Sequence, residues 1–338
     1  MRTLVTGATG GLGRNAVDAL LAQGARVRGT GRDAAQREAF IARGADYVPA
    51  DLARLTPATL DALLDGVDTV WHCAALSSPW GAYDDFYAAN VRATAALAEG
   101  AVKRGVRRFV HISTPSIYFD YQHHADLPER YRPARFANHY AATKMLAEEA
   151  IQQQASTQHA TRFIILRPRG LFGPHDRVVL PRILHLLKLR GGVLPLPRGG
   201  AARMDLTYLE NVVHAMQCAT TADVPSGAAY NITNHAPATL RDLLDQLLGQ
   251  HLGLRYRIRA VPYPAMAVAA RVMEMASAIT HREPLLTRYS AAALHYDMTL
   301  ANDRARIELG YVPPIDMAEG IRRTAHWLRE HGNGIWQR

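Results

Sequence analysis

Short apolar runs of strand character alternate, along the N-terminal half of the chain, with stretches whose apolar residues recur at helical spacing. Arg2 to Thr6 is β-rich, Ala16, Val17, Ala19, Leu20 and Leu21 form an apolar helical stripe that Gly24 caps, and Arg26 to Thr30 reads as a second strand. Asp46 to Ala50 and Val67 to His72 repeat the unit. Tyr87 to Gly100 predicts a long amphipathic helix, Arg107 to Ile112 and Arg162 to Pro168 predict further strands, and Tyr140 to Gln152 predicts a helix between them. This rhythm predicts an α/β fold with a parallel, doubly wound sheet. Ligands of such sheets lie beyond the C-terminal ends of the strands.

The pattern changes after about residue 175. Val178 to Leu194 is apolar with basic punctuation, Ala228 to Thr233 reads as a strand returning to the sheet, and 238–253, 263–280, 300–309 and 317–330 read as helices. The polar residues 119–138 lack periodicity and predict a loop crossing the edge of the site. The division expected is 1–175 for the sheet domain, with returns near 205–233, and 176–338 for a mainly helical lobe interleaved with it. Pro262 to Ala278 is apolar and rich in Met and Ala, yet too short and too mildly hydrophobic to span a bilayer. It reads as a lid or core helix, with weak peripheral membrane contact as the other reading.

Bulk properties narrow the class. A content of 48% hydrophobic and 20% charged residues belongs to a globular protein. The formal charge of +9 is spread without a basic tract and without a nucleic-acid motif, so no nucleic-acid partner is expected. Cys73 and Cys218 lack metal-type spacing, and His123 and His124 have no partner at ligand spacing, so no metal site is expected. Two cysteines and a strand pattern beginning at Met1 suggest a reducing cytoplasm.

Candidate chemistry gathers at the predicted strand ends. Gly7, Gly10 and Gly13 stand in a turn between strand and helix, where backbone N–H groups can approach a pyrophosphate. At the end of the second strand, Gly31 occupies the place of a ribose-binding acid, and Arg32 follows, suited to a 2′-phosphate; Asp33 is the alternative acid, shifted in register. Asp51 and Leu52 end the third strand, the small Ala74 and Ala75 follow the fourth, and Thr114 follows the fifth. Tyr140 and Lys144 are four apart, hence on one helix face, and an ammonium beside a phenol is expected to lower its pKa.

Thr6-Gly-Ala-Thr-Gly-Gly-Leu-Gly13, the hydroxyls of Ser113 to Ser116 and Tyr140-x-x-x-Lys144 together resemble the extended short-chain dehydrogenase/reductases, the NAD-dependent epimerase/dehydratase superfamily. Trp80-Gly-Ala-Tyr83, His111 to Ile117, Leu166-Arg-Pro-Arg-Gly-Leu-Phe-Gly-Pro174, Asp205 to Ala215, Tyr230 to Asn234 and Gly310 to Pro313 resemble its 3β-hydroxysteroid dehydrogenase-like branch. Trp80 and Thr114-Pro-Ser116 lean towards the bacterial 2-alkyl-3-oxoalkanoate reductases. The resemblance implies a Rossmann-type sheet with a smaller, mostly helical C-terminal substrate lobe, and a homodimer.

It also implies site roles. Tyr140 would be the acid/base, Lys144 would bind the nicotinamide ribose, and Thr114 would be the second catalytic hydroxyl, with Ser113 its neighbour. Gly7, Thr9, Gly10, Gly11, Leu12, Gly13, Arg32, Asp51, Leu52, Ala74, Ala75, Asn90, Pro168 and Gly170 would surround the cofactor, NADP(H) favoured over NAD(H). Trp80, Ser116 and Tyr118 would line the substrate. The function implied is interconversion of a ketone and a secondary alcohol on a hydrophobic, acyl or steroid-like small molecule. A nucleotide-sugar epimerase or dehydratase is the alternative, kept open by Arg177, Arg182, Arg203 and Arg241, although Tyr118-Phe119 departs from the Tyr-Gly usual there. A non-catalytic cofactor sensor is the third reading.

Overall fold

The computed structural model describes residues 1–158, 160–176, 179–280 and 282–331. Seven strands form one parallel sheet: β1 (Arg2–Thr6), β2 (Arg26–Gly31), β3 (Asp46–Pro49), β4 (Thr69–His72), β5 (Arg108–Ile112), β6 (Arg162–Pro168) and β7 (Ala228–Ile232). Their order is β7-β6-β5-β4-β1-β2-β3. The chain runs outward from β1 to β3, then crosses to β4 and runs the other way. A crevice therefore opens between the ends of β1 and β4, where ligands of doubly wound sheets bind.

The inner strands are buried on both faces, so they read as continuous apolar runs. Helices α1 (Gly11–Ala22), α2 (Ala93–Lys103), α3 (His139–Thr157) and α4 (Leu209–Thr221) cover them. Val17 and Leu20 of α1 join Val212, Val213 and Met216 of α4 on one face. Leu97 and Ala98 of α2 join Ile151 and Ala155 of α3 on the other. The helix expected from Tyr87 begins earlier, at Tyr83, and widens into a π-turn over Tyr87–Arg92. Such turns re-aim side chains near functional sites. Here the turn carries Asn90, whose amide grips the backbone of Leu76 at 2.8 Å and Thr143 of α3 at 3.1 Å.

The C-terminal lobe has its own core of leucines, among them Leu184, Leu243, Leu247 and Leu328. Its helices include α5 (Tyr263–Thr280), α6 (Arg288–Ala293) and α7 (Met317–His331). The segment expected to be a loop contributes one strand, His124–Leu127, which pairs with Met298–Leu300. The apolar α5 is not a core helix: Met266 and Ala270 face inward, while Val268, Val272, Met275 and Ile279 stand on its exposed side. Among the described residues no helix is long and apolar enough to cross a membrane, and no group of three metal-ligating side chains forms.

One buried network joins sheet and helices. Arg167 on β6 and Glu148 on α3 are both fully buried and paired, with Nε 2.8 Å from Oε1. Ser113 donates to the same carboxylate, and Arg167 donates to the hydroxyl of Tyr118, which in turn donates to Asn231 on β7 at 2.8 Å. Removing one member leaves a buried charge without compensation. Arg167→Met is expected to lower unfolding free energy by about 3–5 kcal/mol in urea titrations. Adding Glu148→Leu to it is expected to restore most of that loss.

Candidate active site

The dinucleotide cradle is set by backbone shape. Gly7 has φ +64°, and a Cβ there would lie 3.0 Å from the backbone of Ala74. A Cβ on Gly13 would lie 2.2 Å from the carbonyl of Gly7, so the turn closes only with glycine. Gly10 caps α1 without a side-chain bond, and the first turn holds no acid. Thr9, Gly11 and Leu12 complete the turn, and its N–H groups with the positive helix end suit a pyrophosphate. Ala74 is held against this turn by a bond from its N–H to Thr6 Oγ1 at 3.1 Å.

At the end of β2 a Cβ on Gly31 would press on Thr9 Oγ1 and Tyr47 Oη at 3.0 Å, so a larger residue there would have to shift those side chains. Asp33 spends its carboxylate on its own turn, accepting from Ala35 N and Gln36 Nε2 at 3.0 Å each. Arg32 is exposed beside them. Asp51 accepts from Ala53 N at 3.1 Å and caps the short helix Leu52–Arg54 at the end of β3. These groups fit a dinucleotide lying across the ends of β1 to β3.

Asn138 starts α3 by accepting from Ala141 N at 2.8 Å, and this presents Tyr140 in the first turn. Its phenol lies beside the hydroxyls of Thr114 and Ser77. Burial pushes the phenol up to about 12, those two hydroxyls pull it down, and the neighbouring phenol of Tyr289 adds to the rise. The expected depression by Lys144 is absent, and the reason is geometric. Lys144 is buried and turns towards the sheet, donating to the Ile112 carbonyl at 2.7 Å and lying 3.0 Å from His111 Nε2. Burial lowers the ammonium to about 8, against the attraction of Glu148.

Burial also drives His111 well below its ordinary value, so it is neutral, and Nε2 accepts from the lysine. His72 beneath it is held near 3 by burial and lies between the hydroxyls of Thr6 and Thr94, at 2.7 and 2.9 Å. The spacing of Tyr140 and Lys144 did not reveal these two histidines; their positions at the ends of buried strands were the only signal.

Thr114, rather than Ser113, meets the phenol. Ser113 faces Glu148, whereas Thr114 Oγ1 donates to Ser116 Oγ at 3.0 Å. Ser116 Oγ lies 2.8 Å from the hydroxyl of Tyr289 on α6. The C-terminal lobe thereby closes a row of hydroxyls running from Tyr140 through Thr114 and Ser116 to Tyr289. Neither Tyr289 nor Ser77 was expected. Trp80 stays partly exposed on the loop after β4, where Ser78 bonds its backbone N–H and carbonyl at 3.2 and 2.8 Å.

Two expectations are corrected. Tyr118 does not line the substrate site, because it is fully buried with its hydroxyl committed to Arg167 and Asn231. Asn90 does not present its amide to the crevice, because both ends of it hold Leu76 and Thr143. Pro168 ends β6 beside Ile232 of β7, and Gly170 follows with φ +58°, its Cβ position only 2.8 Å from the Asp205 carbonyl.

A model of the NAD dependent epimerase/dehydratase family matches residues 3–233. The chain is 49% identical over 335 residues to the uncharacterized protein YbjS of Escherichia coli (strain K12), covering 98% of this chain and 99% of that one. It is 32% identical over 332 residues to the 2-alkyl-3-oxoalkanoate reductase of Stenotrophomonas maltophilia (strain K279a), covering 96% and 98%. Among solved structures it is similar to the UDP-glucuronic acid 4-epimerase of Bacillus cereus in complex with NAD, with a TM-score of 0.75 and 21% identity over 98% of this chain and 99% of that one. That last likeness shows the fold.

Proposed function

We propose a direction and a substrate class for this chain, which belongs to the NAD dependent epimerase/dehydratase family: it reduces a ketone to a secondary alcohol on a hydrophobic, acyl or steroid-like molecule, with NADPH. The observation that carries the reading is the row of hydroxyls led by Tyr140. With its phenol held near 12, Tyr140 is protonated at neutral pH and stands ready to donate.

A bound reduced nicotinamide supplies the hydride for the carbonyl carbon. Tyr140 gives its proton to the carbonyl oxygen, and Thr114 bonds that oxygen as negative charge gathers on it. Lys144, turned towards the sheet beneath the phenol, would hold the nicotinamide ribose while it keeps its charge. The relative named a 2-alkyl-3-oxoalkanoate reductase supports an acyl ketone as substrate. NADP(H) is favoured because Gly31 and Asp33 offer the ribose no free acid, while Arg32 is free to meet a 2′-phosphate.

The epimerase reading draws less support. Of the arginines kept for a sugar diphosphate, Arg182 is paired with Glu283 at 2.9 Å and Arg241 holds the Gly199 carbonyl at 2.9 Å. Arg203 is exposed, and Arg177 lies outside the described residues.

Three outcomes are expected in steady-state assays with a 2-alkyl-3-oxoalkanoate. Tyr140→Phe lowers kcat about 100- to 10,000-fold, the usual worth of a positioned proton donor; an unchanged kcat would remove Tyr140 from the chemistry. Arg32→Ala raises KM for NADPH about 10- to 100-fold and leaves NADH little affected, as loss of a charge-assisted contact requires. Wild-type reduction is level below about pH 8 and falls above it, because Lys144, lowered from 10.5 to about 8, then loses its charge while Tyr140 keeps its proton. A rate that climbs through that range would contradict the assignment of donor.

A further inference from the structure

We propose that Arg169 is the anion-binding residue of the substrate pocket, its guanidinium receiving a carboxylate carried close to the ketone, so that the preferred substrate is a 3-oxo acid and not a neutral ketone. The inference rests on the ketone-reductase reading and names the polar end of its substrate.

Arg169 is fixed where β6 ends. Its N–H donates to the Ile232 carbonyl at 3.3 Å, and its own carbonyl accepts from Thr207 Oγ1 at 2.6 Å. Gly170, pinched against Asp205, turns the chain away directly after it. The neighbouring strand end is that of β5, which carries Ser113 and Thr114 and is tied to β6 by Ser113 N to the Leu166 carbonyl at 2.7 Å. Arg169 thus stands one strand from the catalytic hydroxyl.

Its side chain differs from that of Arg167, two residues earlier on the same strand. Arg167 is neutralised by Glu148. Arg169 makes no ion pair among the described residues, and its Nε is buried with no hydrogen-bond partner. The nearest acid, Asp205, accepts from Leu300 N at 2.7 Å. Burial weakens the hold of the guanidinium on its charge, and Tyr289 and Asp205 offset this only in part. The residue stays partly exposed, yet its Nε is buried without a hydrogen-bond partner, and an unsatisfied buried polar atom of this kind marks the place of a ligand. Planar and fork-shaped, a guanidinium matches a carboxylate, as it does a phosphate, with two parallel N–H bonds.

The phosphates of the cofactor are not that ligand. The sheet order places β5 and β4 between β6 and β1, so three strand spacings, about 14 Å, separate Arg169 from the pyrophosphate turn. The 2′-phosphate end, beyond β2, is further still. Tyr289 is an electrostatic neighbour of both Tyr140 and Arg169. On this proposal a ketone whose oxygen meets Tyr140 turns its carboxylate, two carbons away, towards Arg169.

The test uses the full chain, a long-chain 2-alkyl-3-hydroxyalkanoate and its methyl ester, with calorimetric binding in the presence of NADP+. Wild type is expected to bind the acid about 10- to 100-fold more tightly than the ester, the range for a charge-assisted contact. Arg169→Met is expected to bring the acid-to-ester ratio near one, and Arg169→Lys to keep part of it. The ratio of kcat/KM for the 3-oxo acid and its ester should collapse in the same order. Equal binding of acid and ester by wild type, or a ratio preserved in a folded Arg169→Met, would overturn the proposal. Acid-selective binding that depends on Arg169, with no ketone reduced by NADPH or NADH, would sink the reductase reading and leave the carboxylate site standing. Ketone reduction indifferent to the carboxylate would do the opposite.

Discussion

The buried pair of Arg167 and Glu148 is the constraint on which the rest of the site depends. Glu148, Lys144 and Tyr140 recur at four-residue steps on α3, so one helix face carries the anchor, the ammonium and the phenol. Gripping Glu148 from β6 fixes how far α3 slides along the sheet and how it is rotated. The same carboxylate accepts from Ser113, which fixes the residue before Thr114. Arg167 also holds Tyr118, and through it Asn231 on β7. Two charges without solvent access seldom raise stability above that of an apolar pair, but they tolerate few arrangements. Here they set the placement of Tyr140 relative to Thr114.

Desolvation then sets the chemistry. Burial moves both members of the Tyr140–Lys144 pair towards their neutral forms, the phenol up to about 12 and the ammonium down to about 8. A neutral phenol can donate a proton, which is what the proposed reduction asks of it. The lysine keeps its charge at neutral pH because Glu148 attracts it and the Ile112 carbonyl and a neutral His111 accept its protons. On the proposal above Arg169 is the counterpart on the substrate side, with its Nε left without a hydrogen-bond partner among the described residues.

What the sequence made legible follows from local physics. Gly7, Gly10 and Gly13 were readable because only glycine closes that turn, and the inner strands because burial on both faces makes them apolar throughout. Spacing put Tyr140 and Lys144 on one face, but it does not say which way a long side chain turns, and the Ile112 carbonyl drew the lysine inward. Tyr118 sat in a cluster of hydroxyls and looked like a substrate contact; its burial depends on Arg167 and Asn231, which are remote in sequence. Tyr289 left no local trace, since its bond to Ser116 spans 173 residues. The small lobe sheet was hidden because strands such as Arg203–Met204 and Ala238–Thr239 are too short to show a period.

The central claim is hydride transfer from a nicotinamide to a ketone beside Tyr140. It is tested most directly by incubating the protein with NADPH deuterated at the transferring face of C4 and a 2-alkyl-3-oxoalkanoate, then locating the label by mass spectrometry and NMR. The account predicts one deuterium on the carbinol carbon of a 2-alkyl-3-hydroxyalkanoate, with one NADPH consumed for each alcohol formed. No label on any alcohol product, together with inversion of a sugar nucleotide at no net cost in NADPH, would contradict it.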